Sequence, residues 1–193
     1  MSLSMKEFFD SLSTSWDEKE QSSLDERRNF LSFLDIKEGE KVLDLACGTG
    51  VITPLLLEKS KCQVTAIDLS PKMIEIAKKK YHDFPLMKFI SADFYNFNEG
   101  KYDWIIVFNA YPHFLNREAF KEKVLELLNE NGKLAIIHNL SRKTLIKTHE
   151  GKAHPYSRDL ESPRDEARFY QDKMNVILSK EDDTSYKLIL EKK

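Results

Sequence analysis

The sequence predicts an α/β fold: a doubly wound, mostly parallel sheet of seven strands that ends in an antiparallel C-terminal hairpin. Three observations predict it. Short apolar runs alternate with amphipathic helical segments from residue 41 to residue 138, the order of parallel strands joined by helical crossovers. Two runs, Ile105-Ile106-Val107-Phe108 and Leu134-Ala135-Ile136-Ile137, are apolar without alternation, as in strands covered on both faces. The last two, Asn175-Val176-Ile177-Leu178 and Tyr186-Lys187-Leu188-Ile189-Leu190, flank Lys180-Glu181-Asp182-Asp183-Thr184. That spacing is too short for a parallel crossover, so the pair must run antiparallel at the sheet edge.

Residues 1–38 read as a helical cap, with Ser22 or Ser23 as an N-cap and Leu24, Arg27, Phe30, Leu31 and Leu34 along one side at helical spacing. Strands are expected at 41–45, 63–68, 88–91, 104–109 and 133–138, with helices at 53–59, 71–80 and 117–128. Ser70-Pro71 sets a hydroxyl cap before a proline at the first helical position, where the missing N–H costs nothing; Met73, Ile74 and Ala77 then face inward. Asn131-Gly132 marks the turn into the fifth strand. Residues 141–159 are too polar for core and too long for a plain connection, and read as part of a substrate lid.

A chain of 193 residues fits one domain with a full core. Its formal net charge of -2 gives no electrostatic footprint for a polyanion, which disfavours a nucleic-acid partner. Two cysteines, Cys47 and Cys62, make neither a disulfide framework nor a thiolate metal site. The N-terminus has no apolar core of a signal peptide, and no run approaches the ~20 apolar residues of a membrane span. A soluble, cytoplasmic protein is expected, with Met1–Ser4 ahead of Met5 reading as a remnant of cloning.

The functional signal is three acids at the ends of three consecutive strands: Asp44 before Gly48-Thr49-Gly50, Asp68 closing Val64-Thr65-Ala66-Ile67, and Asp93 after Phe89-Ile90-Ser91-Ala92. Ligands of open parallel sheets sit outside the carboxyl ends of the strands, where glycines let the backbone approach them. Asp68 is placed to accept from both hydroxyls of a ribose. Asp93 is placed to accept from an adenine amino group, with Phe94 beside the ring. A dinucleotide site wants a third glycine where this chain has Thr53, and its pyrophosphate would be repelled by Asp44. A zwitterionic methionine tail carries an ammonium that Asp44 suits, so S-adenosylmethionine fits better. Asp44 taken alone also fits a loop cap.

Asp44-Leu45-Ala46-Cys47-Gly48-Thr49-Gly50, Ala66-Ile67-Asp68-Leu69-Ser70-Pro71-Lys72-Met73-Ile74, Ser91-Ala92-Asp93, Tyr102-Asp103-Trp104-Ile105-Ile106 and Leu127-Leu128-Asn129-Glu130-Asn131-Gly132 resemble, in that order, the motifs of class I S-adenosylmethionine-dependent methyltransferases. The resemblance covers residues 38–140 and implies a Rossmann-like sheet. It further implies a cofactor-binding domain over 39–193 and a cofactor set of Asp44, Ala46, Gly48, Thr49, Gly50, Asp68, Leu69, Asp93, Phe94 and Asn109. Within that set Gly48 and Gly50 would meet the methionine and ribose, Leu69 and Phe94 the adenine faces. Cys47 reads as packing, because nothing beside it in sequence lowers its pKa.

On the acceptor side, the fourth strand runs into Asn109-Ala110-Tyr111-Pro112-His113-Phe114 and the fifth ends at His138-Asn139. His113 and His138 are the candidate general bases; each also fits a bond to a loop carbonyl. His113-Phe114 resembles the corresponding site in small-molecule members of the family, which points to a small acceptor. The alternatives are an RNA or protein methyltransferase and a nonenzymatic S-adenosylmethionine-binding regulator. His113, His138, His149 and His154 include no pair at helical ligand spacing, so no metal is expected. Arg142, Lys143, Lys147 and Lys152 suit an acidic acceptor or a solvated helix face. Phe9 or Trp16 could lie against the sulfonium or seal the cap.

Overall fold

The computed structural model describes residues 3–19, 22–149 and 154–193. The chain forms two compact units, Met1–Phe97 and Asn98–Lys193.

The first unit opens with α1 (Met5–Leu12), a 3-10 turn, α2 (Trp16–Lys19) and α3 (Leu24–Phe30), which runs into a 3-10 turn at Leu31–Phe33. Capping boxes start α1 and α3. Ser4 accepts from Glu7 N–H and Ser23 from Glu26 N–H, while each glutamate reaches back to its cap; four orphan donors are thereby satisfied. Of the supposed cloning remnant, Met1 and Ser2 lie outside the described residues, and Ser4 has this structural task. Leu24, the first residue of α3, is 41% exposed, whereas Leu31 and Leu34 of the same side reach the core.

β1 (Val42–Leu45), α4 (Thr53–Ser60), β2 (Val64–Asp68), α5 (Pro71–Lys80) and β3 (Met87–Ser91) follow as two parallel crossovers. All four β1 residues are buried, as an apolar run without alternation requires. Ser70 caps α5 through Met73 N–H, and Met73, Ile74 and Ala77 are buried as expected. Cys47, Ala66, Ile74, Ala77, Met87 and Phe89 form one core cluster under the strand ends.

The second unit contains β4 (Tyr102–Phe108), a 3-10 turn at Tyr111–His113, α6 (Arg117–Leu127), β5 (Leu128–His138), α7 (Arg142–His149), a 3-10 turn at His154–Tyr156, α8 (Pro163–Tyr170), β6 (Met174–Glu181) and β7 (Tyr186–Lys192). β5 begins five residues before its expected start. Leu128 pairs with Tyr102 and Lys133 with Trp104, so residues 129–132 bulge out of the ladder. The turn chemistry survives inside the strand: Asn131 has φ 59°, and a Cβ on Gly132 would lie 2.9 Å from the Asn129 carbonyl oxygen.

α7 falls within residues 141–159, read from the sequence as part of a lid, and α8 lies in a stretch to which the sequence reading gave no element. Ser162-Pro163 repeats the Ser70-Pro71 signature, with the Ser162 hydroxyl accepting from Asp165 N–H. β6 and β7 pair antiparallel as expected, and β7 also pairs antiparallel with β5. The strands form one seven-stranded sheet of order β3-β2-β1-β4-β5-β7-β6. Among the described residues no helix is long and apolar enough to cross a membrane.

Candidate cofactor and acceptor site

The turn after β1 carries three left-handed residues, Ala46 (φ 58°), Gly48 (φ 55°) and Gly50 (φ 79°). Alanine in that region is held against its preference, a form of strain that tends to collect at functional sites. The two glycines have different neighbours. A Cβ on Gly48 would stand 3.4 Å from the Trp16 indole nitrogen, whereas one on Gly50 would press to 3.0 Å against the Tyr81 and Phe89 rings, which stack on each other at 5.8 Å. Gly50 is therefore also a packing glycine, and the space beside Gly48 belongs to Trp16.

Asp44 is buried, and its Oδ2 accepts from the Thr53 hydroxyl at 2.6 Å. Burial pushes its carboxyl up to about 7, opposed by the Thr53 bond and reinforced by the charge of Asp68. Its named influences are burial, Thr53 and Asp68, with no lysine or arginine of the described residues among them. A buried carboxylate of this kind is stabilised by a cation, and the ammonium of a methionine tail is one; the donor set thus fits the cofactor. The residue that displaced the third dinucleotide glycine, Thr53, is the one bonded to Asp44.

Asp68 is only partly covered. Its Oδ2 accepts from Gly48 N–H and its Oδ1 from Ser70 N–H, both at 2.8 Å, so it ties the end of β2 to the glycine turn. Burial pushes it up to about 6 against those two bonds. Each oxygen retains a lone pair for a ribose hydroxyl. Leu69 beside it is half-buried. Asp93 caps the 3-10 turn Phe94–Asn96, accepting from Tyr95 N–H and from the Asn96 amide at 3.0 Å, while Phe94 is buried. Cys47 sits in the core, where burial first and then the charges of Asp44 and Asp68 hold its thiol well above its ordinary range.

Two acids that the sequence did not single out fasten the N-terminal helices to these loops. Asp10 Oδ1 accepts from the Ser70 hydroxyl at 2.5 Å and from Lys72 N–H at 3.4 Å. Asp17 accepts from the Thr49 hydroxyl at 2.5 Å and from Lys80 at 2.9 Å. Against the upward push of partial burial, the bonds from Thr49 and Lys80 hold Asp17 below its usual range. Thr49 is thus turned toward Asp17, and Lys80, in the last turn of α5, bridges to the cap. Trp16 packs edge-on against Phe9 at 6.2 Å. A Ser-x-x-Glu signal reveals the helix starts, but no sequence pattern marks an aspartate that bonds thirty or sixty residues away.

In the second unit, Asn109 follows β4 with φ 55°. Its side chain and Asn139 clasp each other: the Asn109 amide donates to Asn139 Oδ1 at 2.7 Å, and Asn139 N–H donates to Asn109 Oδ1 at 3.0 Å. His113 is half-buried, and its Nδ1 lies 2.8 Å from the Tyr156 carbonyl. A carbonyl only accepts, so Nδ1 carries the proton and the lone pair of the neutral ring is on Nε2. His138 is fully buried at the end of β5, edge-on to Tyr186, its register partner on β7. Arg142 pairs with Glu181 at 3.1 Å, which gives it a structural task. The side chains of His149 and His154, and all of Lys152, lie outside the described residues. Among the described residues no three His, Cys, Asp or Glu side chains gather to hold a metal.

A family model described as a methyltransferase domain matches residues 42–132. The demethylmenaquinone methyltransferase of Thermotoga maritima is 35% identical over 120 residues, covering 61% of this chain and 50% of that protein. Residues 42–132 are thus similar to the methyltransferase domain of the class I S-adenosylmethionine-dependent family. The (S)-coclaurine N-methyltransferase of Papaver somniferum is 30% identical over 72% of this chain and 39% of its own length. The matched stretch spans half or less of each of these relatives. Among solved structures, the N-methyltransferase NodS from Bradyrhizobium japonicum with S-adenosyl-L-homocysteine superposes with a TM-score of 0.74 at 13% identity, covering 97% of each chain. A chain of the complex between the Haloferax volcanii Trm112 methyltransferase activator and a methyltransferase reaches 0.79 at 17% identity, over 98% of this chain and 97% of that one. At such identities the likeness is one of fold, and it agrees with the mostly parallel sheet and its antiparallel end. The cofactor of this family is S-adenosylmethionine.

Proposed function

We propose that this chain moves the methyl group of S-adenosylmethionine to an oxygen or nitrogen of a small-molecule acceptor, in the cytoplasm. The cofactor supplies an electrophilic methyl on a sulfonium, and displacement in line with the leaving sulfur asks the protein chiefly for alignment and for a place to put a proton. Asp44 accepts from the cofactor ammonium, Asp68 from the ribose hydroxyls and Asp93 from the adenine amino group. Leu69 and Phe94 border the base, and Ala46, Gly48, Thr49, Gly50 and Asn109 shape the backbone around the rest. Trp16, seated on the glycine turn, presents its ring to the sulfonium, a contact of roughly 0.5–2 kcal/mol.

The observation that carries the acceptor reading is His113. Half-buried in the turn after β4, with Nδ1 committed to the Tyr156 carbonyl, it holds its basic nitrogen on the side away from that anchor. His138, buried on a strand, serves as a packing and orienting group. The names of relatives that act on demethylmenaquinone and coclaurine favour a small acceptor. Calorimetry with S-adenosylmethionine, its demethylated product and NAD, followed by a labelled-methyl screen against a metabolite pool, tests the reading. Tighter binding of NAD, or tight cofactor binding with no label transferred to any acceptor, would sink it.

A further inference from the structure

A buried polar cluster in the second unit belongs to none of the roles above. Glu166, on α8, is fully buried, and its Oε1 is the hub. It accepts from the Tyr111 hydroxyl at 2.5 Å, from Arg117 Nε at 3.1 Å and Nη2 at 2.9 Å, and from Arg158 Nη2 at 3.4 Å. The Tyr170 hydroxyl lies 2.8 Å from that of Tyr111. Because the Tyr111 proton points to the carboxylate, Tyr170 donates to Tyr111. Burial, with the neighbouring phenol and Glu166 charges, keeps Tyr111 protonated far above neutrality. Such a cluster is a costly way to fill a core, since charges taken out of water lose their hydration and apolar side chains of like volume pack as well.

What the cluster holds is the turn after β4. Tyr111 stands two residues before His113. Arg158 grips the same turn from the other side: its N–H donates to the Pro112 carbonyl at 2.9 Å, its Nε to the Phe114 carbonyl at 3.4 Å, and its guanidinium lies 4.6 Å above the Tyr111 ring. The Tyr156 carbonyl that fixes the His113 tautomer is two residues from Arg158. Ring, backbone and imidazole of one short turn are therefore held by a single set of charges centred on α8.

We propose that Glu166 is a positioning residue for methyl transfer: through Tyr111 and Arg158 it fixes the turn Tyr111–His113, and with it the direction and tautomer of the His113 imidazole. The proposal rests on the acceptor reading above only for its catalytic consequence.

Glu166→Gln is the direct test, because volume is kept and Oε2 has no hydrogen-bond partner among the described residues that the amide would break. We expect amide exchange at His113, Phe114 and Arg158, whose N–H groups bond to Ala110, Tyr111 and Pro112, to quicken at least tenfold relative to amides of β4 and β5. Nitrogen NMR of the imidazole should show the single Nδ1–H tautomer of the native protein give way to a mixture. Affinity for S-adenosylhomocysteine should stay within twofold. With an acceptor from the methyl screen, kcat/KM should fall at least tenfold. Should Glu166→Gln not fold, Tyr111→Phe, which removes only the hydroxyl, is expected to give the same pattern. Unchanged exchange and tautomer, or exchange that rises equally across β4 and β5, would overturn the proposal. If the native protein transfers no methyl group, the proposed function fails while the exchange and tautomer measurements still decide whether Glu166 positions the turn.

Discussion

If Asp44 meets the cofactor ammonium as proposed, cofactor binding is a proton-linked event. Its rise from an ordinary 3.8 to about 7 corresponds to on the order of 4 kcal/mol of cost for holding the charge without a cation. A raised carboxyl contributes stability that is fully present below about pH 4 and is lost as pH rises through about 7. The ligand-free protein is therefore expected to lose stability between pH 5 and 8, and the cofactor ammonium to restore it, so thermal stabilisation by S-adenosylmethionine should be larger at pH 8 than at pH 5.5. At pH 6.5 a group with this pKa is roughly three-quarters protonated, so binding should release about 0.7 proton, and affinity should rise about fifteenfold from pH 5.5 to 7, above which the ligand's own ammonium begins to lose its proton. Asp68 is partly exposed and adds a smaller share in the same direction. Calorimetry at pH 6.5 in buffers of different ionisation enthalpy reads the proton count as a slope. In Asp44→Asn the slope should collapse, affinity should fall, and the ligand-free protein should gain stability at pH 8. A native slope near zero, or the same slope in Asp44→Asn, would refute the linkage.

Other expectations follow from single contacts. Asp68→Ala should weaken cofactor binding at least tenfold, since it removes ribose contacts and frees Gly48 N–H at once; unchanged affinity in calorimetry would remove its ribose role. Starting the chain near Ser22 deletes Trp16 together with the Asp10 and Asp17 ties, and should speed cofactor dissociation in stopped-flow measurements; retention of native affinity and rates would leave the helices a purely structural role. His113→Ala should lower turnover far more than cofactor affinity, and native turnover in both His113→Ala and His138→Ala would end the base assignment. Gly50→Ala should cost roughly 1–3 kcal/mol in denaturant unfolding, because it crowds the Tyr81 and Phe89 rings and forces alanine to a φ of 79°.

The sheet was legible because its signals are local. Apolar runs located all seven strands, and Ser70-Pro71 located α5 to the residue. The same dipeptide logic at Ser162-Pro163 locates α8, which the sequence reading left unassigned. The start of β5 was hidden because a ladder with a four-residue bulge has no periodicity to read. Of the candidate site, the acids and glycines stood out because they follow three consecutive strand ends in order. Their partners were not. Asp10 and Asp17 are ordinary surface-type residues whose meaning lies in Ser70 and Thr49, and Glu166 reads as one more charge in an acidic helix start until Tyr111, Arg117 and Arg158 surround it. Pattern reports faces and turns; it does not report which polar atoms meet across the fold.

The place of β7 has a consequence for how the molecule assembles. β6 is made first, yet it reaches the sheet only through β7, which pairs with β5 across a separation such as Lys133 to Glu191. Until that long loop closes, β5 has an open edge and β6 has nothing to pair with but its hairpin mate, leaving Val176 and Ile177, half-exposed even in the finished protein, in a free ribbon. Closing contacts this distant in sequence is slow compared with forming helices. The second unit is thus expected to complete its sheet last, and the interval before β7 docks is when the chain is most open to pairing with another copy of itself.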